Sequence, residues 1–311
     1  MLRMAATTKH LPVLLDELIA GLAVKQGGLY ADCTLGGGGH AEAVLEASAP
    51  GGRLLGLDLD ERAVPRVEQR LARFAGSLVV AKGNFADLSD IAAEQGFSDV
   101  DGIYFDLGLS SLQLEEPGRG FSFHQDDPLD MRFDPQGHRT ASNLVNKAAV
   151  EDLAQVLRNY GEEPRSRAIA RRIERARPVH STGELAQLVQ QAAPGHRQRI
   201  HPATRTFQAL RMWVNDESAN LERALPQSLD LLKSGGRVAV ISFHSLEDRA
   251  VKTYFAQESK DCICPPVVPV CVCGHTASIR LVSKKVITPS PEETERNPRS
   301  RSAKLRIAQK L

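Results

Sequence analysis

The sequence predicts an α/β fold, a mostly parallel, Rossmann-like sheet flanked by helices and interrupted by a helical insertion. Three observations carry this. Short apolar runs alternate with helical periods over residues 28–106, the pattern of βαβ units that build a parallel sheet. The first run, Gly28-Leu29-Tyr30-Ala31-Asp32, ends in an acid and leads through four glycines, Gly36 to Gly39, into the helical stretch Ala41 to Glu46. From Glu115 to Phe123 the alternation gives way to turn chemistry and over 143–213 to helical periodicity, and a strong buried strand returns at Arg237-Val238-Ala239-Val240-Ile241. The expected division is therefore 1–116 with 216–311 as the α/β domain and 117–215 as the inserted helical domain.

Taken in order, Val13, Leu14, Leu18 and Leu22 fit an amphipathic helix leaning on the sheet. His10 could face a ligand, although a lone histidine near a terminus is more often structural or exposed. The first strand, 28–32, is followed by the glycine loop, where the backbone can take positive φ and approach a ligand closely. The next helix offers free N–H groups and a positive dipole end. The second strand, Arg53-Leu54-Leu55-Gly56-Leu57, ends in Asp58, about twenty residues after Gly38, the interval at which such a unit sets an acid on a ribose hydroxyl. The loop is not Gly-x-Gly-x-x-Gly, and no Gly-Lys-Ser/Thr follows it. Acids at Asp32 and Asp58 suit S-adenosylmethionine, whose ammonium and ribose diol call for carboxylates or carbonyls and which has no pyrophosphate to cradle.

Residues 61–74 read as a helix and Leu78-Val79-Val80-Ala81 as the third strand. Phe85, in the loop after it, either stacks on a base or lies in the core beneath the loop. A helix over 89–97 precedes the fourth strand, Val100 to Asp106, which breaks at Gly108. Asp58, Phe85 and Asp106 thus all fall at the carboxyl ends of parallel strands, where the ligand crevice of such a sheet lies. The strand ending Ile241-Ser242-Phe243-His244-Ser245 points Ser242, His244 and Ser245 into the same crevice. A serine and a histidine invite a hydrolase, but no Gly-x-Ser-x-Gly elbow accompanies them.

Of 311 residues, 42% are hydrophobic and 25% charged, the composition of a globular chain with a real core. The net charge of +1 hides an asymmetry. Residues 1–161 carry 14 bases and 23 acids, residues 162–211 carry 10 arginines and 4 glutamates, and residues 280–311 carry 9 bases and 3 acids. Arg165, Arg167, Arg171, Arg172, Arg175 and Arg177 recur at short intervals on one predicted helix. Together with Ser300, Arg299 and Arg301 in the tail they suggest an anionic polymer as partner; a solvated helix face is the plainer alternative. No run of 18 apolar residues and no signal-peptide pattern is present, so a cytoplasmic location without a membrane is expected. Cys262-x-Cys264 and Cys271-x-Cys273 could hold a structural zinc at a hairpin or remain reduced thiols, with disulfides less favoured in that compartment. Cys-x-Cys is a tighter bite than Cys-x-x-Cys, and no residue is assigned as a metal ligand from sequence.

Several long stretches together resemble the RsmH (MraW) family. They are His10-Leu11-Pro12-Val13-Leu14-Leu15-Asp16-Glu17, Gly36 to His40, Asp106-Leu107-Gly108-Leu109-Ser110-Ser111, Arg119-Gly120-Phe121-Ser122-Phe123, Pro128-Leu129-Asp130-Met131-Arg132, His201-Pro202-Ala203-Thr204-Arg205-Thr206-Phe207-Gln208, Ile241 to Arg249, and Asn297-Pro298-Arg299-Ser300-Arg301-Ser302. The resemblance implies an S-adenosylmethionine-dependent methyltransferase fold with an inserted domain. It implies transfer of a methyl group to N4 of a cytidine in the decoding region of bacterial small-subunit (16S) rRNA. It also implies cofactor contacts at Gly38, Gly39, His40, Asp58, Phe85, Asp106 and Gln113. Leu112 stands where this family commonly has proline, and the cysteine segment occurs in only some members. Asp106 could instead accept from the target amine, with His244 and Ser242 as further candidates, and Phe121 or Phe123 could hold a base drawn out of its stack. A catalytically inactive assembly factor that binds rRNA is the alternative from another class; a small-molecule methyltransferase is disfavoured by the basic insertion.

Overall fold

A computed structural model describes residues 11–192, 201–265, 267–268 and 270–311; His10, Arg197 and Arg199 lie outside them. Seven strands form one sheet: β1 (Leu29–Asp32), β2 (Arg53–Asp58), β3 (Leu78–Lys82), β4 (Val100–Asp106), β5 (Leu232–Ser242), β6 (Ile279–Leu281) and β7 (Lys304–Lys310). Their order is β3-β2-β1-β4-β5-β7-β6. The first five are parallel, and β7 runs antiparallel to both β5 and β6. This is the mostly parallel, Rossmann-like α/β fold.

The chain divides into two compact units, one made of the residues up to Gly108 with Asn220–Leu311, the other Leu109–Ala219. In the first, each central strand alternates its side chains between two cores. Ala31, Leu55, Leu57, Ile103, Phe105, Val238 and Val240 face one, with Leu88 of α4 (Leu88–Glu94), Leu225 of α11 (Glu217–Leu231) and Phe255 of α12 (Ser245–Glu258). Tyr30, Leu54, Tyr104, Ala239 and Ile241 face the other, with Leu18 of α1 (Leu15–Leu22), Val44 of α2 (Gly39–Ser48) and Val67 of α3 (Ala63–Arg70). Burial on both faces explains why these strands read as continuous apolar runs rather than alternating ones. Tyr30, Tyr104 and Phe105 are fully buried; a fully buried side chain of this size contributes about 1.5–3 kcal/mol. Gly56 makes room at this level for the buried Leu35 side chain, whose Cδ1 would lie 2.7 Å from a Cβ there and would have to shift.

The second unit is helical: α5 (Ser111–Glu115), α6 (Ala141–Lys147), α7 (Val150–Gly161), α8 (Ser166–Ala176), α9 (Thr182–Ala192) and α10 (Ala203–Val214). Leu109 and Leu114 pack on its core, with Leu144, Leu157, Ile173 and Leu210. The turn-rich stretch before α6 is pinned. Arg119, 5% exposed, donates to the carbonyls of Arg132 and Phe133 and to Glu116, while Arg132 grips Asp130 with two nitrogens. Gly120 sits at φ +72°, and a Cβ there would come within 2.3 Å of the Pro128 carbonyl oxygen. No helix among the described residues is long and apolar enough to cross a membrane.

Candidate active site

Within the first unit, the glycine loop is stitched to the ends of three strands. The Thr34 amide donates to Asp32 Oδ1 at 3.0 Å, and the Asp106 amide donates to Thr34 Oγ1 at 2.6 Å. The Leu35 amide reaches the Leu57 carbonyl at 2.8 Å. Asp58 receives the Gly36 amide on Oδ2 and the Asp60 amide on Oδ1, each at 2.8 Å. Asp58 thus fastens the loop through both of its carboxylate oxygens. Gly38 caps α2 in the left-handed region at φ +75°, and a Cβ there would press on Val67 at 3.1 Å. The left-handed conformation favours glycine at this position, and a side chain there would also need Val67 to give way.

Of the charged groups beside this loop, Asp32 and His40 are buried and Asp106 is partly buried. His40, in the first turn of α2, is 6% exposed, and its Nε2 lies 2.9 Å from the Val13 carbonyl. A carbonyl only accepts, so Nε2 carries the proton, and the bare Nδ1 faces Asp106 Oδ2 at 3.5 Å. Burial lowers the histidine's pKa, which keeps the ring neutral in this arrangement. Asp106 is pushed up to about 7, first by burial and then by the negative charge of Glu247. Its Oδ1 is enclosed and meets no hydrogen-bond partner among the described residues. Asp32, 1% exposed, is likewise raised to about 7 by burial, against the opposing pull of the Thr34 amide. Two carboxyls at the end of the sheet therefore titrate near neutrality beside a neutral imidazole, an arrangement that marks a candidate site for binding or moving protons.

The other expected residues fall into separate roles. Phe85, after β3, packs edge-on against Phe105 with ring centroids 5.7 Å apart and is partly buried on the core. Gln113 belongs to the helical unit, where its side chain accepts from the Ser110 amide and closes a capping box on α5. Ser242, 2% exposed, donates to the Lys304 carbonyl at 3.3 Å. His244 caps α12: its Nδ1 accepts from the Glu247 amide at 3.4 Å, and its Nε2 lies 3.1 Å from Glu247 Oε1. Both side chains are thus engaged in holding the backbone. Glu247, which sequence reasoning passed over, is buried and receives the amides of Phe243 and His244. The signal for it is a cap residue followed three positions later by glutamate at a helix start, the capping-box spacing.

Phe121, 6% exposed, belongs to the helical core, which leaves no face for a base. Phe123 is partly buried and stacks on His201, ring centroids 4.6 Å apart, with Phe207 edge-on. Arg167, Arg171, Arg172 and Arg175 are exposed. Arg177 is not part of that face: it lies beyond α8, and its guanidinium donates to the Val145 and Ala148 carbonyls at the end of α6, 2.7 Å each. The basic tail is also partly spent internally. Lys304 and Arg306 share Asp248, and Lys310 reaches the Leu232 carbonyl.

Residues 7–311 match a family model described as the MraW methylase family. The protein named ribosomal RNA small subunit methyltransferase H in Dehalococcoides mccartyi is 53% identical over 302 residues, 97% of this chain and 86% of that one. The protein of the same name in Thermomicrobium roseum is 52% identical over 308 residues, covering 98% and 94% of the two chains. That of a Paenibacillus species is 48% identical over 314 residues, covering 97% and 99%. The chain belongs to the MraW methylase family.

Proposed function

We propose that this protein transfers the methyl group of S-adenosylmethionine to the exocyclic N4 of a cytidine in the decoding region of 16S rRNA. Family membership and the names of relatives near half identity support rRNA of the small subunit as the substrate class. The observation that carries the chemistry is the enclosed, unpartnered Oδ1 of Asp106 beside the glycine loop. A buried acceptor left unmet costs about 1–3 kcal/mol, and at a strand end beside a ligand loop it is the feature of a site waiting for a donor. A cationic, hydroxyl-bearing methyl donor fits the acceptor-rich set at Asp32, Asp58 and Asp106. Gly38, Gly39 and His40 would hold it along the loop, Asp58 at the ribose, and Phe85 and Asp106 at the strand ends. When bound, that cofactor supplies an electrophilic methyl on sulfur.

The cytosine amine is a poor nucleophile, because its lone pair is delocalised into the ring. The chain's contribution is to orient it and to accept its proton as positive charge builds. Asp106 is the acceptor proposed, with His40 as a positioning residue whose Nδ1 faces Oδ2 and shares the proton. The exposed arginines of α8 are the proposed phosphate contacts, since guanidinium matches phosphate geometry. Mapping methylated cytidines in small-subunit RNA from cells with and without this chain tests the reading. Loss of one N4-methyl mark from a decoding-region cytidine is expected. An unchanged RNA, with purified chain that binds the donor and transfers nothing, would leave an rRNA-binding assembly factor instead.

A further inference from the structure

Between α12 and β6, residues 259–278 form a long connection in the first unit with no regular secondary structure among its described residues. Its base is tied. The Ser278 amide donates to the Glu258 carbonyl at 2.9 Å, the Ala277 amide to Asp261 Oδ1 at 3.2 Å, and His275 Nδ1 meets the Lys260 carbonyl at 2.9 Å. Its tip has no core of its own. Val267, Val270 and Val272 are 87%, 71% and 80% exposed. Segments this long without secondary structure are uncommon in compact domains, and one that buries no apolar side chains needs another tether.

The tip contains Cys262, Cys264, Cys271 and Cys273, all free thiols, and their four Sγ atoms lie within 4.8 Å of one another. Cys271 and Cys273 are 3.5 Å apart at sulfur, and Cys273 and Cys262 are 3.8 Å apart. Alternate residues on a strand point to opposite faces, so two Cys-x-Cys pairs converge only because the backbone turns at both. A tetrahedral zinc with bonds of about 2.3 Å sets its sulfurs about 3.8 Å apart. Two amides also point at sulfur: Cys264 N to Cys262 Sγ at 3.4 Å and Val272 N to Cys264 Sγ at 3.5 Å. Amide donors of this kind are the outer shell that stabilises bound thiolates.

We propose that these four cysteines bind one Zn²⁺ as a closed, structural S₄ site that tethers the tip of this connection. Four soft ligands in tetrahedral reach exclude the hard, oxygen-seeking cations, and separations this short suit one ion rather than a cluster. Binding takes the thiolate forms and releases the thiol protons to solvent. No open coordination position is left, so the ion acts on local order and not on methyl transfer.

The test is elemental analysis of the full chain purified under reducing conditions, followed by titration with zinc sulfate of chain stripped by a chelator. One zinc per chain is expected, with tetrahedral thiolate absorption when Co²⁺ replaces it. Cys262→Ser combined with Cys271→Ser should weaken zinc binding by roughly a hundredfold or more. The same double variant should speed proteolysis within 262–273 while donor binding stays unchanged. Failure of the stripped, reduced chain to take up one equivalent overturns the proposal, and so does iron in place of zinc. Disulfides among these cysteines in a non-reducing peptide map of the purified chain would overturn it as well.

Discussion

Replacing Asp106 by Asn separates its two possible roles, because the amide keeps the shape of the carboxyl and cannot take up a proton at neutral pH. In the free chain burial and Glu247 hold Asp106 near 7. A raised carboxyl is protonated below its pKa and a base only above it, so the proton acceptor is available on the alkaline side. With a pKa of about 7 the ionised fraction rises roughly tenfold between about pH 6 and pH 8. The ratio kcat/KM for the methyl donor reports groups of the free enzyme, and it should climb by that factor and level off. Asp106→Asn should lower turnover at saturating donor by about 10²–10⁴-fold, the usual contribution of a positioned base, and the residual rate should lose the climb. Donor affinity, from calorimetric titration, should change far less than turnover. If the variant loses donor binding and turns over normally once saturated, Asp106 serves the cofactor alone. A kcat/KM profile of the natural chain that stays flat through this range would refute the raised carboxyl itself.

Three further outcomes follow from the same geometry. Asp32 is raised to about 7 by burial, so the folded chain holds a proton that the unfolded chain has lost above its ordinary carboxylate pKa. Its contribution to stability is therefore full below about pH 4 and is lost as pH rises through about 7; Asp32→Asn should flatten the decline, on the order of 2–4 kcal/mol, in denaturant melts at pH 5 and pH 8. Gly120→Ala combines a left-handed φ of +72° with a Cβ 2.3 Å from the Pro128 carbonyl oxygen. It should cost the helical unit about 2–5 kcal/mol, and a loss under about 1 kcal/mol in thermal unfolding would show that this turn relaxes. Replacing the exposed Arg167, Arg171 and Arg175 by Gln should weaken binding to a small-subunit RNA fragment and reduce the slope of log K against log salt by about 2, at roughly 0.7 per phosphate contact on single strands; an unchanged slope removes α8 from the interface.

Much of the first unit was legible because its parallel strands are buried on both faces, and an apolar run ending in Asp32, Asp58 or Asp106 leaves little ambiguity. β6 was not legible: it has three residues, Ile279–Leu281, and is a strand only because β7 pairs with it. Pro117, Gly118 and Gly120 have turn chemistry, and residue type alone does not show that Arg119 between them is buried and bonded to Glu116 and to the Arg132 and Phe133 carbonyls. Charge density could not tell a free base from one already spent. Arg177 ends a helix, and Lys304 and Arg306 neutralise Asp248. The same limit applies to Ser242 and His244. Side-chain type marks a polar residue at a strand end, and only the hydrogen bonds show that Ser242 holds β7 and His244 holds α12.

That distinction selects Asp106 and supplies an independent way to test it. Ser242 and His244 each hold a backbone group, and His244 Nε2, enclosed without a hydrogen bond like Asp106 Oδ1, lies 3.1 Å from Glu247 Oε1; of these two enclosed atoms only Asp106 Oδ1 belongs to a residue tied to the glycine loop, through its amide and Thr34. The same carboxyl is raised in part by Glu247, a buried side chain that receives the Phe243 and His244 amides through Oε2. Glu247→Gln retains an acceptor for those amides and removes the negative charge. With the like charge gone, Asp106 should ionise more easily, and its pKa should fall while burial still holds it above the ordinary carboxylate range. The alkaline-going rise in kcat/KM should then move to lower pH with its plateau largely kept. Asp106→Asn, by contrast, lowers the plateau and abolishes the rise. A shift to higher pH, or none in a variant whose melting temperature is retained, would mean that Glu247 does not set the proton affinity of this site.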